Sequence, residues 1–185
     1  QQIDDIIAKI DSDDTHESDK QSAEIRELVS TADMPKDMEQ EILEAYDHLN
    51  VDMNSMYASP DAMAIMKNAR EPVFVSVRSS ATAEDLGDAS FAGQQESFIN
   101  VKGNRSVIEH VKKVFASIFT SRSIYYRKKK GFKARVGIAA IVQRMIDSEK
   151  SGVTFSVDPV KQENILIESV FGQGEGIVSG QVKPD

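Results

Sequence analysis

At Glu71-Pro72 the apolar residues change period. Beyond it Val73, Val75 and Val77 alternate with Phe74, Ser76 and Arg78, which reads as a strand ending at an arginine. Ahead of it the spacing is helical. From Lys20 onward Ile25, Leu28, Val29 and Ala32 mark one helical face, and Met38, Ile42, Ala45, Tyr46 and Leu49 mark a second. The second helix should begin near Pro35, a residue suited to a first helical turn, and Ser59-Pro60-Asp61 predicts a further helix start. Residues 79–96 keep no period, and Ser97 to Val101 is again strand-like. Helices are predicted from Arg105 to Phe119, with Ile108, Val111, Phe115, Ile118 and Phe119 inward, and from Ser121 to Lys130, stopped by Gly131. Three runs rich in β-branched residues follow, Gly137 to Ile146, Gly152 to Val157 and Asn164 to Val170, and read as adjacent, mostly antiparallel strands. Strands interleaved with helical pairs, without strict βαβ alternation, predict an α+β layered domain.

The chain has 185 residues, 40% of them apolar, enough for one sizeable core or two small ones. Thirty Asp and Glu against 22 Lys and Arg leave a formal charge of −8, which argues against nucleic acid or an anionic membrane as a partner of the whole surface. Without cysteine, disulfides, thiolate zinc sites and cysteine nucleophiles are excluded together, and His16, His48 and His110 stand too far apart in sequence to suggest a metal cluster. No run approaches the roughly 20 apolar residues that span a bilayer, and Gln-Gln-Ile-Asp-Asp has no signal-peptide character, so a cytoplasmic chain is expected. The first Met is Met34 and the sequence closes on Lys183-Pro184-Asp185, as in a piece excised from a longer protein. Residues 4–19 carry seven Asp and Glu with few apolar partners and read as a solvated connection.

Four segments could carry chemistry. Val77-Arg-Ser-Ser-Ala-Thr-Ala-Glu-Asp-Leu86, followed by Ser90-Phe-Ala-Gly-Gln-Gln-Glu-Ser97, joins an arginine fork to hydroxyls and a glycine, a combination that suits a polyphosphate. The bland reading is a surface loop with Arg78 paired to Glu84 or Asp85. Gln143-Arg144-Met145 breaks an apolar strand; backbone there would meet a purine edge while Val142 and Met145 pack on its faces, or the strand is simply amphipathic. Phe171-Gly-Gln-Gly-Glu-Gly176 lacks the lysine and hydroxyl of a Walker loop, and Ile177 stands where a dinucleotide fingerprint needs its third glycine. The basic run from Arg122 through Lys128, Lys129, Lys130 and Lys133 to Arg135 reads as a solvated helix end rather than a nucleic-acid groove.

Read in order, Val75-Ser-Val-Arg-Ser-Ser-Ala-Thr-Ala-Glu-Asp-Leu86, Asp88-Ala-Ser-Phe-Ala-Gly-Gln-Gln-Glu96, Ile141-Val-Gln-Arg-Met145, Ser151-Gly-Val-Thr-Phe-Ser156, Gly172-Gln-Gly-Glu175 and Val178-Ser-Gly-Gln-Val-Lys-Pro-Asp185 closely resemble the N-terminal nucleotide-binding domain of the phosphoenolpyruvate synthase family. The likeness covers about residues 20–185 and extends more distantly to pyruvate phosphate dikinase and rifampicin phosphotransferase. It implies an ATP-grasp-like fold, with residues 1–70 as acidic connection and helical segment and 71–185 as the core portion. Arg78 would contact ATP phosphates and act catalytically, the loop with Gly93 and Ser97 would cover them, and Gln143 and the Met145 backbone would form the adenine-side hinge. The family uses ATP with Mg²⁺ to phosphorylate a histidine on a swivelling domain, which then phosphorylates pyruvate in a third domain to give phosphoenolpyruvate, AMP and phosphate.

This sequence departs from the family pattern in lacking the N-terminal Gly-Gly-Lys segment, the acidic metal ligands expected shortly beyond Asp185, the swivelling histidine and the pyruvate barrel. Gly87 and Gln173 replace a frequent proline and leucine. The 185 residues alone are therefore expected to be inactive. Rival readings are a rifampicin phosphotransferase-like enzyme and a catalytically silent nucleotide-binding module.

Overall fold

A computed structural model of the chain describes residues 3, 6–7, 15–49, 71–81, 85–86, 89–90, 96–129 and 137–183. The chain is α+β and divides into two compact units, Gln1–Met145 and Ile146–Asp185. The predicted helix start at Ser59 and the stop at Gly131 lie outside the described residues.

In the first unit, strand β1 (Val75–Ala81) is central, paired antiparallel with β4 (Ser97–Val101) on one side and β5 (Ile138–Arg144) on the other. Between β1 and β4, β2 (Asp85–Leu86) pairs antiparallel with β3 (Ala89–Ser90), a two-residue ladder inside the stretch that carried no period. Val75 and Val77 have no solvent exposure and meet Val101 of β4 and Val107, Val111 and Val114 of helix α3 (Asn104–Ser117) in one apolar cluster. The stripe on α3 differs from expectation. Val111 and Ile118 are buried as expected, but Val107 and Val114 are buried too, whereas Ile108 is half-buried and Phe115 packs from the margin. Short β-branched side chains let the helix approach the valines of β1; longer ones fit only at its edges.

Helix α1 (Thr15–Thr31) begins five residues before the expected Lys20, taking in part of the acidic stretch. Ser18 and Ser22 of this first half are buried, and Ser22 donates to the Phe119 carbonyl at 2.7 Å, so hydroxyls rather than apolar groups seat it. Ile25 packs fully buried against Ile124 of α4 (Ser121–Lys129). Thr120 caps α4, accepting the Ser123 amide and donating to the Ser123 hydroxyl. Helix α2 (Lys36–Leu49) starts just after Pro35, whose carbonyl accepts the Glu39 amide at 2.9 Å. Of its predicted stripe, Tyr46 is buried and Ile42 and Leu49 pack on the cluster, while Met38 is 43% exposed and Ala45 is exposed.

Tyr46 is more than core filling. Its phenol donates to the Val73 carbonyl at 2.7 Å and accepts the Gly103 amide at 3.0 Å. One buried hydroxyl thus ties α2 to the entry of β1 and to the turn between β4 and α3. Gly103 holds φ at +89°, a left-handed conformation that other residues adopt only with strain.

In the second unit, β6 (Lys150–Phe155) and β7 (Leu166–Phe171) form an antiparallel hairpin, followed by the single-turn helix α5 (Glu175–Val178). The expectation that the three late strands lie side by side is corrected here: β5 pairs with β1, and only β6 and β7 pair with each other. Apolar runs announce strands but not their partners. Asp158 Oδ1 accepts the Val160 and Lys161 amides and organises the hairpin loop. Among the described residues no helix is long and apolar enough to cross a membrane.

Two stability tests follow from these contacts. Tyr46→Phe removes the shared partner of the Gly103 amide and the Val73 carbonyl, and is expected to cost about 1–3 kcal/mol in urea unfolding; a loss below about 0.5 kcal/mol would show that both groups find other partners. At Gly152 an added Cβ would stand 2.7 Å from the Glu168 carbonyl oxygen across the hairpin. Gly152→Ala should therefore destabilise β6 and β7 by about 1–3 kcal/mol, read as faster amide hydrogen exchange in those strands with β1 unaffected.

Candidate functional site

Because Val75 and Val77 point into the core, Ser76, Arg78 and Ser80 must point away from it. The register then sets their neighbours. Arg78 pairs with Ser97 on β4 and Ile141 on β5; Ser76 pairs with Gln143 and Ser80 with Ala139. The outward face of the sheet is open: Arg78, Ser97 and Gln143 are exposed, and so are Ile141 at 48%, Ile99 at 38% and Phe74 at 49%. An arginine amid hydroxyls, one amide and bare aliphatic groups matches a ligand with both anionic and apolar parts.

Arg78 is not at the end of its strand. β1 runs three residues further, to Ala81, because β5 continues to pair with it as far as Ile138. Among the described residues Arg78 forms no ion pair. The rival partner Glu84 lies outside the described residues, as does the side chain of Asp85. Ser97 is the first residue of β4 rather than part of a loop, directly across from Arg78, at a cross-strand spacing of typically about 5 Å between Cβ atoms. Gly93 lies outside the described residues.

Gln143 lies diagonally from Arg78, in typical sheets about 7–8 Å away. Met145 follows the end of β5, and its amide donates to the Phe74 carbonyl at 2.9 Å. Its sulfur accepts the Asn100 amide at 3.0 Å, so the side chain reaches past the start of β1 to β4. Asn100 has φ of +58° at the irregularity in the β1–β4 register. Phe74 and Arg78 are four residues apart, so the Met145 end of this face lies about 13 Å from the arginine along the strand. Val142, expected beside Met145, pairs with Val77 and packs into the core instead. Alternation along β5 puts it on the face opposite Gln143.

The other candidates are occupied locally. Gly172, with φ of +80°, donates its amide to Glu149 at 2.7 Å, and its carbonyl accepts the Ser151 and Ser148 hydroxyls, which makes the glycine segment a closed turn. His48 Nδ1 lies 2.6 Å from the Glu44 carbonyl, and His110 Nδ1 2.7 Å from that of Ser106. Of the basic run, residues 130–136 and the side chains of 126–129 lie outside the described residues. Beside the open face, a hydrogen bond from Lys102 to Glu71 at 2.8 Å holds the Glu71 carboxyl below the usual range, and the lysine's charge adds to this. Lys102 also stands 5.0 Å from the centre of the Phe74 ring. Among the described residues no cluster of three or more His, Asp or Glu side chains could hold a metal ion.

What the residue pattern missed is the apolar part of the face. Ile141 was visible only as one more residue of an apolar run; its outward position follows from the register with Arg78.

Comparison with known proteins bears on what such a face recognises. The family model described as "Pyruvate phosphate dikinase, AMP/ATP-binding domain" matches residues 1–185. A probable phosphoenolpyruvate synthase of Archaeoglobus fulgidus is 48% identical over 182 residues, 97% of this chain and 22% of that protein. The phosphoenolpyruvate synthase of Pyrococcus furiosus is 43% identical over 184 residues, 98% of this chain and 21% of that protein. For a probable phosphoenolpyruvate synthase of Methanocaldococcus jannaschii the figures are 41% over 186 residues, 99% and 14%. The chain thus spans between 14% and 22% of the length of these relatives. With the match running over the whole sequence, the chain belongs to the pyruvate phosphate dikinase AMP/ATP-binding domain family.

Proposed function

We propose that this chain is the ATP-binding portion of a phosphoenolpyruvate synthase, an ATP-dependent phosphotransferase, and that the outward face of the β4-β1-β5 sheet is its nucleotide site. The observation that carries the reading is Arg78, exposed in mid-strand between Ser97 and Ile141 and without an ion pair among the described residues. The names of the relatives and the family model support the same ligand.

In this reading Arg78 presents its guanidinium fork to two phosphate oxygens, a geometry a lysine cannot offer. It holds the phosphates in place and neutralises charge that grows as the phosphoryl group leaves. Ser97 donates a hydroxyl beside it, and Gly93 belongs to the segment that covers the phosphates. At the other end Gln143 and the Met145 carbonyl meet the adenine, the Met145 amide being already committed to Phe74. Ile141 and Ile99 offer the apolar surface between the two ends. The fold is ATP-grasp-like, with residues 71–185 as its core portion.

The two outer phosphates of ATP would pass together to a histidine on a swivelling domain of the full-length protein, leaving AMP; water would release the outer one as inorganic phosphate, and the phosphoryl group left on the histidine would pass to pyruvate in another domain, yielding phosphoenolpyruvate. The family reaction uses Mg²⁺. Among the described residues no cluster of three or more His, Asp or Glu side chains stands ready for it.

In the full-length protein, Arg78→Ala is expected to lose about 3 kcal/mol or more of transition-state stabilisation with the fold intact, measured as kcat/KM for ATP beside thermal unfolding. Unchanged turnover with normal ATP affinity would remove Arg78 from the site. Met145→Asp should weaken ATP and adenosine alike, whereas Arg78→Ala should weaken ATP far more than adenosine. Competition binding with both ligands checks this, and equal effects of both substitutions on both ligands would contradict the division between phosphate and adenine ends.

A further inference from the structure

A second contact, 70 residues apart in sequence, bears on the same face. Arg26 of α1 donates from Nη2 to Glu96 Oε1 at 2.6 Å, both side chains being 38% exposed. Glu96 immediately precedes Ser97, and the Arg78–Ser97 pair is where the β1–β4 ladder ends. Terminal pairs of a ladder open most readily, so Ser97 is the residue of β4 whose place depends most on something outside the sheet.

The residues on both sides of Ser97 are restrained. Ahead of it, Glu96 is tied to Arg26, and Arg26 is itself held in place by its neighbour Ile25, fully buried against Ile124. Behind it, Phe98 turns inward, its ring 4.9 Å from that of His110 in an edge contact and 5.8 Å from the Lys113 ammonium. Arg26, Glu96 and Lys113 line one cleft of about 400 Å³ together with Glu27 and Ser30, where Arg26 Nε is buried without a hydrogen bond among the described residues.

A half-exposed ion pair is worth at most about 1 kcal/mol to the fold, and the helices are already seated by Ile25, Ile124 and the Ser22 hydroxyl. Its effect is felt instead in where Glu96, and with it Ser97, can stand. We propose that Arg26 and Glu96 are positioning residues for the phosphate end of the nucleotide site: their ion pair pins the open end of β4 to helix α1 and so keeps the Ser97 hydroxyl opposite Arg78. The proposal rests on the nucleotide reading above and adds to it a residue of α1 that touches no ligand.

The test uses the full-length protein with Arg26→Gln, Glu96→Gln, and the exchanged pair Arg26→Glu with Glu96→Arg. Each single variant is expected to raise KM for ATP by about tenfold, displacement of a positioned group by a fraction of an ångström being costly. Inhibition by adenosine should stay within about twofold, and the exchanged pair should recover most of the loss, since the interaction and not either side chain alone is what matters. Glu71→Gln, which breaks the ion pair with Lys102 at the other end of the sheet, should leave KM for ATP unchanged. If the single variants leave ATP unaffected while Arg78→Ala does not, the positioning role is wrong and the nucleotide reading stands. Equal weakening of ATP and adenosine in step with a lowered melting temperature, or no recovery in the exchanged pair, would equally overturn it. Should Arg78→Ala itself leave ATP untouched, the nucleotide reading is what fails, and the positioning role falls with it.

Discussion

The burial of Val75 and Val77 governs what the sheet of the first unit presents to solvent. A strand has a side-chain period of two, so placing these valines under helix α3 fixes the outward position of Ser76, Arg78 and Ser80 with no remaining freedom. A slip of one residue would bury the guanidinium and expose both valines, and either change costs several kcal/mol. Because β1 is paired on both sides, the same constraint passes to β4 and β5. Ser97, Ile141 and Gln143 face outward because the register with β1 makes them do so. The open face is therefore a consequence of the core.

The period of β1 made that strand and its outward arginine legible in the residues, as were the helices that follow β4 and the strand character of β5, β6 and β7. Pairing was not legible. Val75 meets Arg144 across 69 positions, and nothing local distinguishes β5 as a partner of β1 from β5 as a neighbour of β6. Helix faces were legible only in part, since apolar size favoured Ile108 and Phe115 where fit against a sheet favoured Val107 and Val114. The first half of α1 escaped notice because serines seat it, and hydroxyls at an interface look like surface residues until their acceptors are known. The segments most characteristic of the family, from Arg78 to Gly93 and Gln143 to Met145, were read through resemblance; their spacing alone also suited a surface loop and an amphipathic strand.

Charge on this chain must act locally. The net −8 disfavours a polyanion at a distance, but fields between exposed charges fade within about 8–10 Å at physiological salt. What an approaching phosphate would meet on the open face is Arg78 with hydroxyls beside it, and among the described residues no carboxylate is paired to that arginine. Two carboxylates flanking these strands are paired with other cations: Glu96 with Arg26, Glu71 with Lys102. Committing these two carboxylates to other cations leaves them less free to compete for the guanidinium, so a surface that is acidic in sum still offers a positive group at this point of the sheet.

The two ends of the face also differ in how much of their backbone is already used. At the Met145 end the amide is bonded to Phe74 and the sulfur to Asn100, so a purine arriving there meets a main chain held by two earlier contacts and pays little to order it. At the Arg78 end the binding groups are long or terminal, a flexible arginine and the first residue of β4, and their order must come from outside the sheet. That asymmetry gives the tie between α1 and Glu96 its significance, because it lies at the end where the sheet alone supplies the least restraint.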